Sequence, residues 1–253
     1  MIVALDGSAS GHAGLTVLDR AGGLVGVTSI VMLGSNRVQE AVEERMWPWL
    51  EPRLPAAPVQ VWLERCPPTV GREKREKRRG QAAIGFPIGL VSGFLAATVC
   101  AYRPGSTVTL VDVSPWRATM QAHLVNIAAR APRKGPRADR GRPVRSGDGW
   151  TIGWRSCGHT VSVSGLTELA RVPDRCPTCG DGAPKDATER WKRQAWDFAS
   201  QQEPEAMSEV LDKAVKAART EHAHPVRYAG VADAAESFCI AFHAWKQGSG
   251  DGS

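Results

Sequence analysis

No apolar run in this 253-residue sequence approaches the ~20 residues that a membrane-spanning helix needs, which excludes a helical membrane protein. The start of the sequence has little of a signal peptide's basic character and reads straight into a strand at Ile2-Val-Ala-Leu5, so no leader is expected. A cytosolic setting is therefore expected. There the six cysteines act as thiols or metal ligands rather than disulfides. Internal repeats are absent as well, which argues against a solenoid or propeller. What remains is the composition of an ordinary folded chain, 42% hydrophobic and 23% charged, long enough for one sizeable core plus an insertion or for two small domains.

The charge is uneven. The chain carries a formal net charge of +6, and two short segments hold more positive charge than that, leaving the remainder acidic. In residues 72–79, Arg72, Lys74, Arg75, Lys77, Arg78 and Arg79 stand against only Glu73 and Glu76. In residues 130–145, Arg130, Arg133, Lys134, Arg137, Arg140, Arg142 and Arg145 stand against Asp139. Both segments read as loops. Such clusters are either solvated faces or a surface that tracks a phosphate backbone.

The pattern of apolar residues predicts an α/β chain. Residues 2–5 form a buried strand that ends on Asp6 and turns at Gly7, Ser8, Ser10 and Gly11. Residues 15–18 and 24–30 add two strands joined by a turn at 19–23, giving a meander. A helix is expected over 36–50, capped by Asn36 and closed by Pro52, Pro55 and Pro58. A strand over 59–64 then ends on Glu64. A small-residue helix over 80–101 carries Gly80, Gly85, Gly89 and Gly93, which suits close packing against a sheet or a partner chain. A strand at 107–113 leads to a helix opened by Pro115, Trp116 and Arg117 and running to about Arg130.

Composition shifts at Ala131 to glycine, proline and arginine. The organisation expected is a first part of the core at 1–130, a basic insertion at 131–185, a helical completion at 186–246 and a disordered tail at 247–253. The completion comprises helices over 187–202, from Pro204, and over 230–246.

Four acids invite a chemical reading. Asp6 and Glu64 end buried strands, where a carboxylate is costly unless it is paired or binds a cation. Asp233 and Glu236, three apart on an apolar helix, project from one face. Each alone reads equally as a cap, or as an acid favoured by the helix dipole. Convergence of all four would demand divalent cations between them. Two metals ~3.5–4 Å apart are the common device for in-line phosphodiester displacement.

Four further residues suit zinc. Cys157-x-His159 and Cys176-x-x-Cys179 supply a tetrahedral ligand set, with Gly158 and Gly180 permitting tight turns. A closed four-ligand site of this kind is structural, and beside the 130–145 stretch it would help to grip a nucleic-acid backbone. Trp150, Trp154, Trp191 and Trp196 gather around the insertion, either to stack on bases or to fill the core of a zinc subdomain. Cys66, Cys100 and Cys239 read as core residues. His12, His123, His222, His224 and His243 read as surface or satisfied core residues.

In this order, the motifs resemble the RNase H-like superfamily, and within it the RuvC family of Holliday-junction resolvases. The resemblance is carried by Ala4-Leu-Asp6-Gly, Val61-Trp-Leu-Glu64, Gly80-Gln-Ala82, Val113-Ser-Pro-Trp-Arg117 and Asp233-Ala-Ala-Glu236-Ser-Phe-Cys-Ile-Ala, over residues 1–130 and 205–246. It implies an RNase H-like fold, a mixed five-stranded sheet flanked by helices, here with an inserted zinc ribbon. It also implies a homodimeric endonuclease for branched DNA in a bacterial or phage-infected cell. Asp6, Glu64, Asp233 and Glu236 would hold two Mg²⁺ or Mn²⁺ ions, and helix 80–101 would lie near the dimer interface.

Departures are present. The last acid is Glu236 where many cellular relatives carry Asp, and the loop after Glu64 is basic, without an aromatic wedge. The zinc-type insertion resembles instead that of transposon-associated RNA-guided nucleases. The alternatives left open are a nuclease acting on flaps, single strands or RNA-containing substrates, and a non-catalytic zinc-ribbon DNA-binding protein. A third is a phosphotransferase of the actin/sugar-kinase type, although the chain lacks a second phosphate-binding glycine loop.

Overall fold

Five strands assemble into one mixed sheet in the computed structural model, which describes residues 1–7, 11–32, 37–65, 75–123, 143–154, 159–173, 176–178, 187–218 and 224–249. Ile2–Gly7 (β1), His12–Leu18 (β2) and Leu24–Val31 (β3) form the antiparallel meander. Gln60–Glu64 (β4) pairs parallel to β1, and Thr107–Val111 (β5) pairs parallel to β4, so the strand order is β3-β2-β1-β4-β5.

Strand alternation divides the residues between two faces. Val3, Leu5, Leu15, Val17, Val61 and Leu63 share one core with Val38–Ala41 (α1), the π-helical turn Val42–Met46, Trp47–Leu50 (α2) and Arg75–Tyr102 (α3). Ile2, Ala4 and Leu18 point the other way, into a core built with Val113–His123 (α4), Ala187–Gln202 (α6) and Val231–Gly248 (α8). Asp6 and Glu64 have the parity of that second face.

Every residue of α8 from Val231 to Ala244 is buried, as expected for a helix apolar all round and enclosed by the sheet, α4, α6 and Pro204–Ala217 (α7). Two close approaches seat it. Gly14 lies directly opposite Asp6 in the β1–β2 register, and a Cβ there would strike the Asp233 carbonyl. Thr16 and Ser237 share a buried hydrogen bond of 2.8 Å between β2 and α8.

Within the insertion, Val144–Ser146 (β6), Gly149–Gly153 (β7) and Thr160–Val163 (β8) make a three-stranded antiparallel sheet followed by Leu166–Arg171 (α5). Ile152, Trp154, Val172 and Cys176 form its core.

Several expectations need correcting. The basic residues Arg75, Lys77, Arg78 and Arg79 belong to α3 rather than to a loop, since Glu, Lys and Arg are strong helix formers. Gly89 and Gly93 do not pack on the sheet, because a Cβ at either would meet nothing within 4 Å. Trp191 and Trp196 pack against the core of the body, not that of the insertion. Strand β5 stops at Val111, the next helix begins at Val113, and α8 continues through Gln247 and Gly248. Asn36, Cys66 and the helix expected over 124–130 lie outside the described residues. Among the described residues no helix is long and apolar enough to cross a membrane.

Candidate active site and metal-binding residues

Asp6, at the end of β1, meets Asp233 and Glu236 from the first turns of α8. One carboxylate oxygen of each lies within 4.8 Å of the others, and all three residues are buried. The i, i+3 spacing on the helix and the parity of the strand produce this convergence. Glu64 ends the neighbouring parallel strand. It is turned toward α4, where its Oε2 accepts a hydrogen bond of 3.1 Å from Trp116 Nε1.

Burial pushes the Asp6 carboxyl well above the usual carboxylate range, and Glu236, Glu64 and Asp233 push it further. Burial likewise moves Glu236 up to about 7, with Lys192 opposing and Glu64 and Asp233 reinforcing. Glu64 is raised by burial, while Arg117 and the Trp116 hydrogen bond pull it back. A buried set of hard oxygen donors that resists ionisation suits divalent cations such as Mg²⁺.

A testable consequence concerns stability. A carboxyl whose folded pKa is raised contributes stability below its unfolded pKa and loses it as pH rises through the folded value. For Glu236 that window runs from 4.5 to about 7. The cost of ionising it is roughly 3 kcal/mol, or about 10 °C in Tm for a chain of this size. The metal-free protein should therefore melt lower at pH 8 than at pH 5. Mg²⁺ should restore the difference at pH 8 and do little at pH 5, as thermal unfolding with and without EDTA would read.

The rim of this centre is cationic and aromatic. Arg117 is sandwiched between Trp116 and Trp191, at 5.1 and 4.8 Å from their ring centroids, and its Nη2 is 3.9 Å from Glu236 Oε1. Its Nε is buried and makes no hydrogen bond among the described residues. Lys192, one residue beyond Trp191 on α6, lowers the Glu236 pKa through its charge. The sequence reading gives Arg117 as a nucleic-acid-binding residue and Trp191 as a tryptophan that stacks on bases or fills the insertion core. It missed Lys192, because its helix follows the insertion and nothing local marks which face meets α8. His243, on α8, is a satisfied core residue, with Nδ1 2.7 Å from Thr119 Oγ1. Burial holds its pKa down.

Half of the zinc-type motif falls among the described residues. His159 Nδ1 and Cys176 Sγ lie 3.5 Å apart. Zinc–sulfur and zinc–nitrogen bonds of ~2.3 and ~2.05 Å in tetrahedral geometry place the two ligand atoms about 3.6 Å apart, so this pair fits zinc. Cys157 and Cys179 lie outside the described residues. On its other side, His159 Nε2 is 3.0 Å from Asp197 Oδ2 of α6. His224, which the sequence gave no reason to single out, completes a group with His159 and Asp197 that could hold a cation.

Of the basic residues, Arg145 is exposed on β6, whereas Arg72, Lys74, Arg130, Arg133, Lys134, Arg137, Arg140 and Arg142 lie outside the described residues. No protein-family model matches this sequence, and no curated protein matches it.

Proposed function

We propose that this chain is a Mg²⁺-dependent endonuclease with an RNase H-like fold, similar to RuvC-type resolvases and acting on branched DNA. The observation that carries the reading is the convergence of Asp6, Asp233 and Glu236 in one buried cluster. A mixed sheet that carries its first-strand Asp and fourth-strand Glu on the same face, on adjacent parallel strands, supports it. Divalent cations held by these four acids would supply Lewis-acid activation of water and stabilisation of the leaving oxygen. Arg117 and Lys192 bring positive charge beside the acids, where a scissile phosphate would need it. The stacking of Arg117 between two tryptophans holds its guanidinium at little entropic cost.

A homodimer fits the same reading. Helix α3 leaves Gly89, Gly93 and Ala97 exposed at four-residue spacing, a small-residue stripe that lets a second helix approach closely. Val108 and Leu110 of the edge strand β5 are also exposed. The insertion, with Cys157, His159, Cys176 and Cys179 as zinc ligands, would grip the nucleic-acid backbone through the basic residues around it.

The test is cleavage of labelled four-way junctions, flaps and linear duplexes with Mg²⁺ or EDTA. Paired, Mg²⁺-dependent nicks on the junction are expected. Glu64→Gln should slow them by about 100-fold, the upper end for loss of even an indirect metal contact. Cutting of flaps or single strands would keep the nuclease and change its substrate. Tight binding without cutting would leave a zinc-ribbon DNA-binding protein, and Glu64→Gln cutting at the wild-type rate would remove Glu64 from the site.

A further inference from the structure

His159 faces two ways, and the two sides differ chemically. Its Nδ1 looks at the Cys176 thiol within the insertion, at the separation of two ligands on one zinc ion. Its Nε2 looks out of the insertion at the Asp197 carboxylate, 3.0 Å away on α6. The ring is further fixed through its own backbone, since the His159 carbonyl accepts a hydrogen bond of 2.9 Å from Trp154 N, next to the insertion core. Asp197 stands on a rigid support, because Ala195, Phe198 and Ala199 on the same helix are buried against α8. His224 lies beside them, its ring centroid 5.9 Å from that of His159.

We propose that Asp197 is the positioning carboxylate of the insertion's zinc centre. It accepts the Nε2–H of His159, which fixes the tautomer whose Nδ1 lone pair faces the metal and raises the basicity of that ligand. The pair also ties the insertion to the body, since ligand and carboxylate come from different parts of the chain. Helix α6 thus carries a zinc-positioning residue at Asp197 and, five residues earlier, Lys192 beside the acidic centre. The proposal rests on the reading of Cys157, His159, Cys176 and Cys179 as zinc ligands and extends it to a group outside the motif.

The experiment measures zinc affinity by chelator competition, and the absorption of the Co²⁺-substituted protein, in wild type, Cys176→Ser and Asp197→Asn. Asn keeps the size of Asp, so the fold is retained. Wild type should bind zinc, and Cys176→Ser should lose it together with the thiolate–cobalt absorption. Asp197→Asn should bind the same amount of zinc 10- to 100-fold more weakly, with the thiolate–cobalt bands unchanged. Affinity equal to wild type in Asp197→Asn would overturn the proposal while leaving the zinc site intact. Loss of all zinc in Asp197→Asn would overturn it differently, by making Asp197 a ligand together with His159 and His224. If Cys176→Ser kept its zinc, or wild type bound none, the zinc reading itself would fall and the role of Asp197 with it.

Discussion

Asp6→Asn is expected to reduce Mg²⁺-dependent cleavage to the background rate and, at the same time, to make the metal-free protein more resistant to heat at pH 8. Both effects have one cause. Asp6 is only 6% exposed, at the tip of a central strand, and its carboxyl is raised by burial and then by Glu236, Glu64 and Asp233. Ionising it without a cation buries one more negative charge among three, and the isosteric amide removes that charge while filling the same space. The gain should be about 2 kcal/mol, or roughly 5 °C in Tm, typical of relieving strain at a functional site. The sign of its pH dependence is fixed. Because the folded carboxyl holds its proton more tightly, the two proteins should melt closer together at pH 5 than at pH 8, the gap opening as pH rises. With Mg²⁺ present the wild type should gain protection and the variant should gain little. Melting curves at the two pH values, with EDTA and with Mg²⁺, read this independently of any DNA substrate. A variant that lost stability at pH 8 would make Asp6 a structural hydrogen-bonding residue and remove the main support for a metal-dependent nuclease.

The sequence carried the acids further than it carried their surroundings. Asp6 and Glu64 could be seen because each ends an apolar run, and period-two alternation then assigns both to one face of the sheet. Asp233 and Glu236 stood out as acids three apart, and so on one face, of an otherwise apolar helix, although the sequence left open that they were solvated. What could not be read is whatever depends on which elements meet. Lys192, Asp197 and His224 reach their sites through the packing of α6 and of the turn Pro225–Arg227, and their local sequence is that of ordinary surface helix and loop. The tryptophans misled for the same reason, since Trp191 and Trp196 are near the insertion in sequence yet pack toward α8. At α3, glycine at position 80 suggested a helix start that the charged residues from Arg75 overrode.

Gly14→Ala should be strongly disruptive, and it touches no acid side chain. Gly14 sits on β2 directly opposite Asp6, on the face that receives α8. A Cβ there would collide with the carbonyl of Asp233 and stand 2.8 Å from the Ala234 amide nitrogen, so the obstruction is backbone on both sides of the contact. No rotamer can relieve it. Either α8 lifts from the sheet or β2 is pushed away, and each movement separates Asp233 from Asp6. Gly230, at the N-terminus of α8 with φ +81, limits how the helix could re-seat, because its own missing Cβ is filled by Ser29 of β3. Overpacking of this kind costs about 3 kcal/mol, or roughly 10 °C in Tm. The remaining folded molecules should also lose Mg²⁺ protection at pH 8, since a displaced Asp233 no longer shares a site with Asp6 and Glu236. Those two losses separate the outcome from simple destabilisation, which would lower Tm and leave the Mg²⁺ increment unchanged. Were the increment preserved, α8 could slide along β2 without moving its acids, and the cluster would not depend on the glycine that now lets the helix approach.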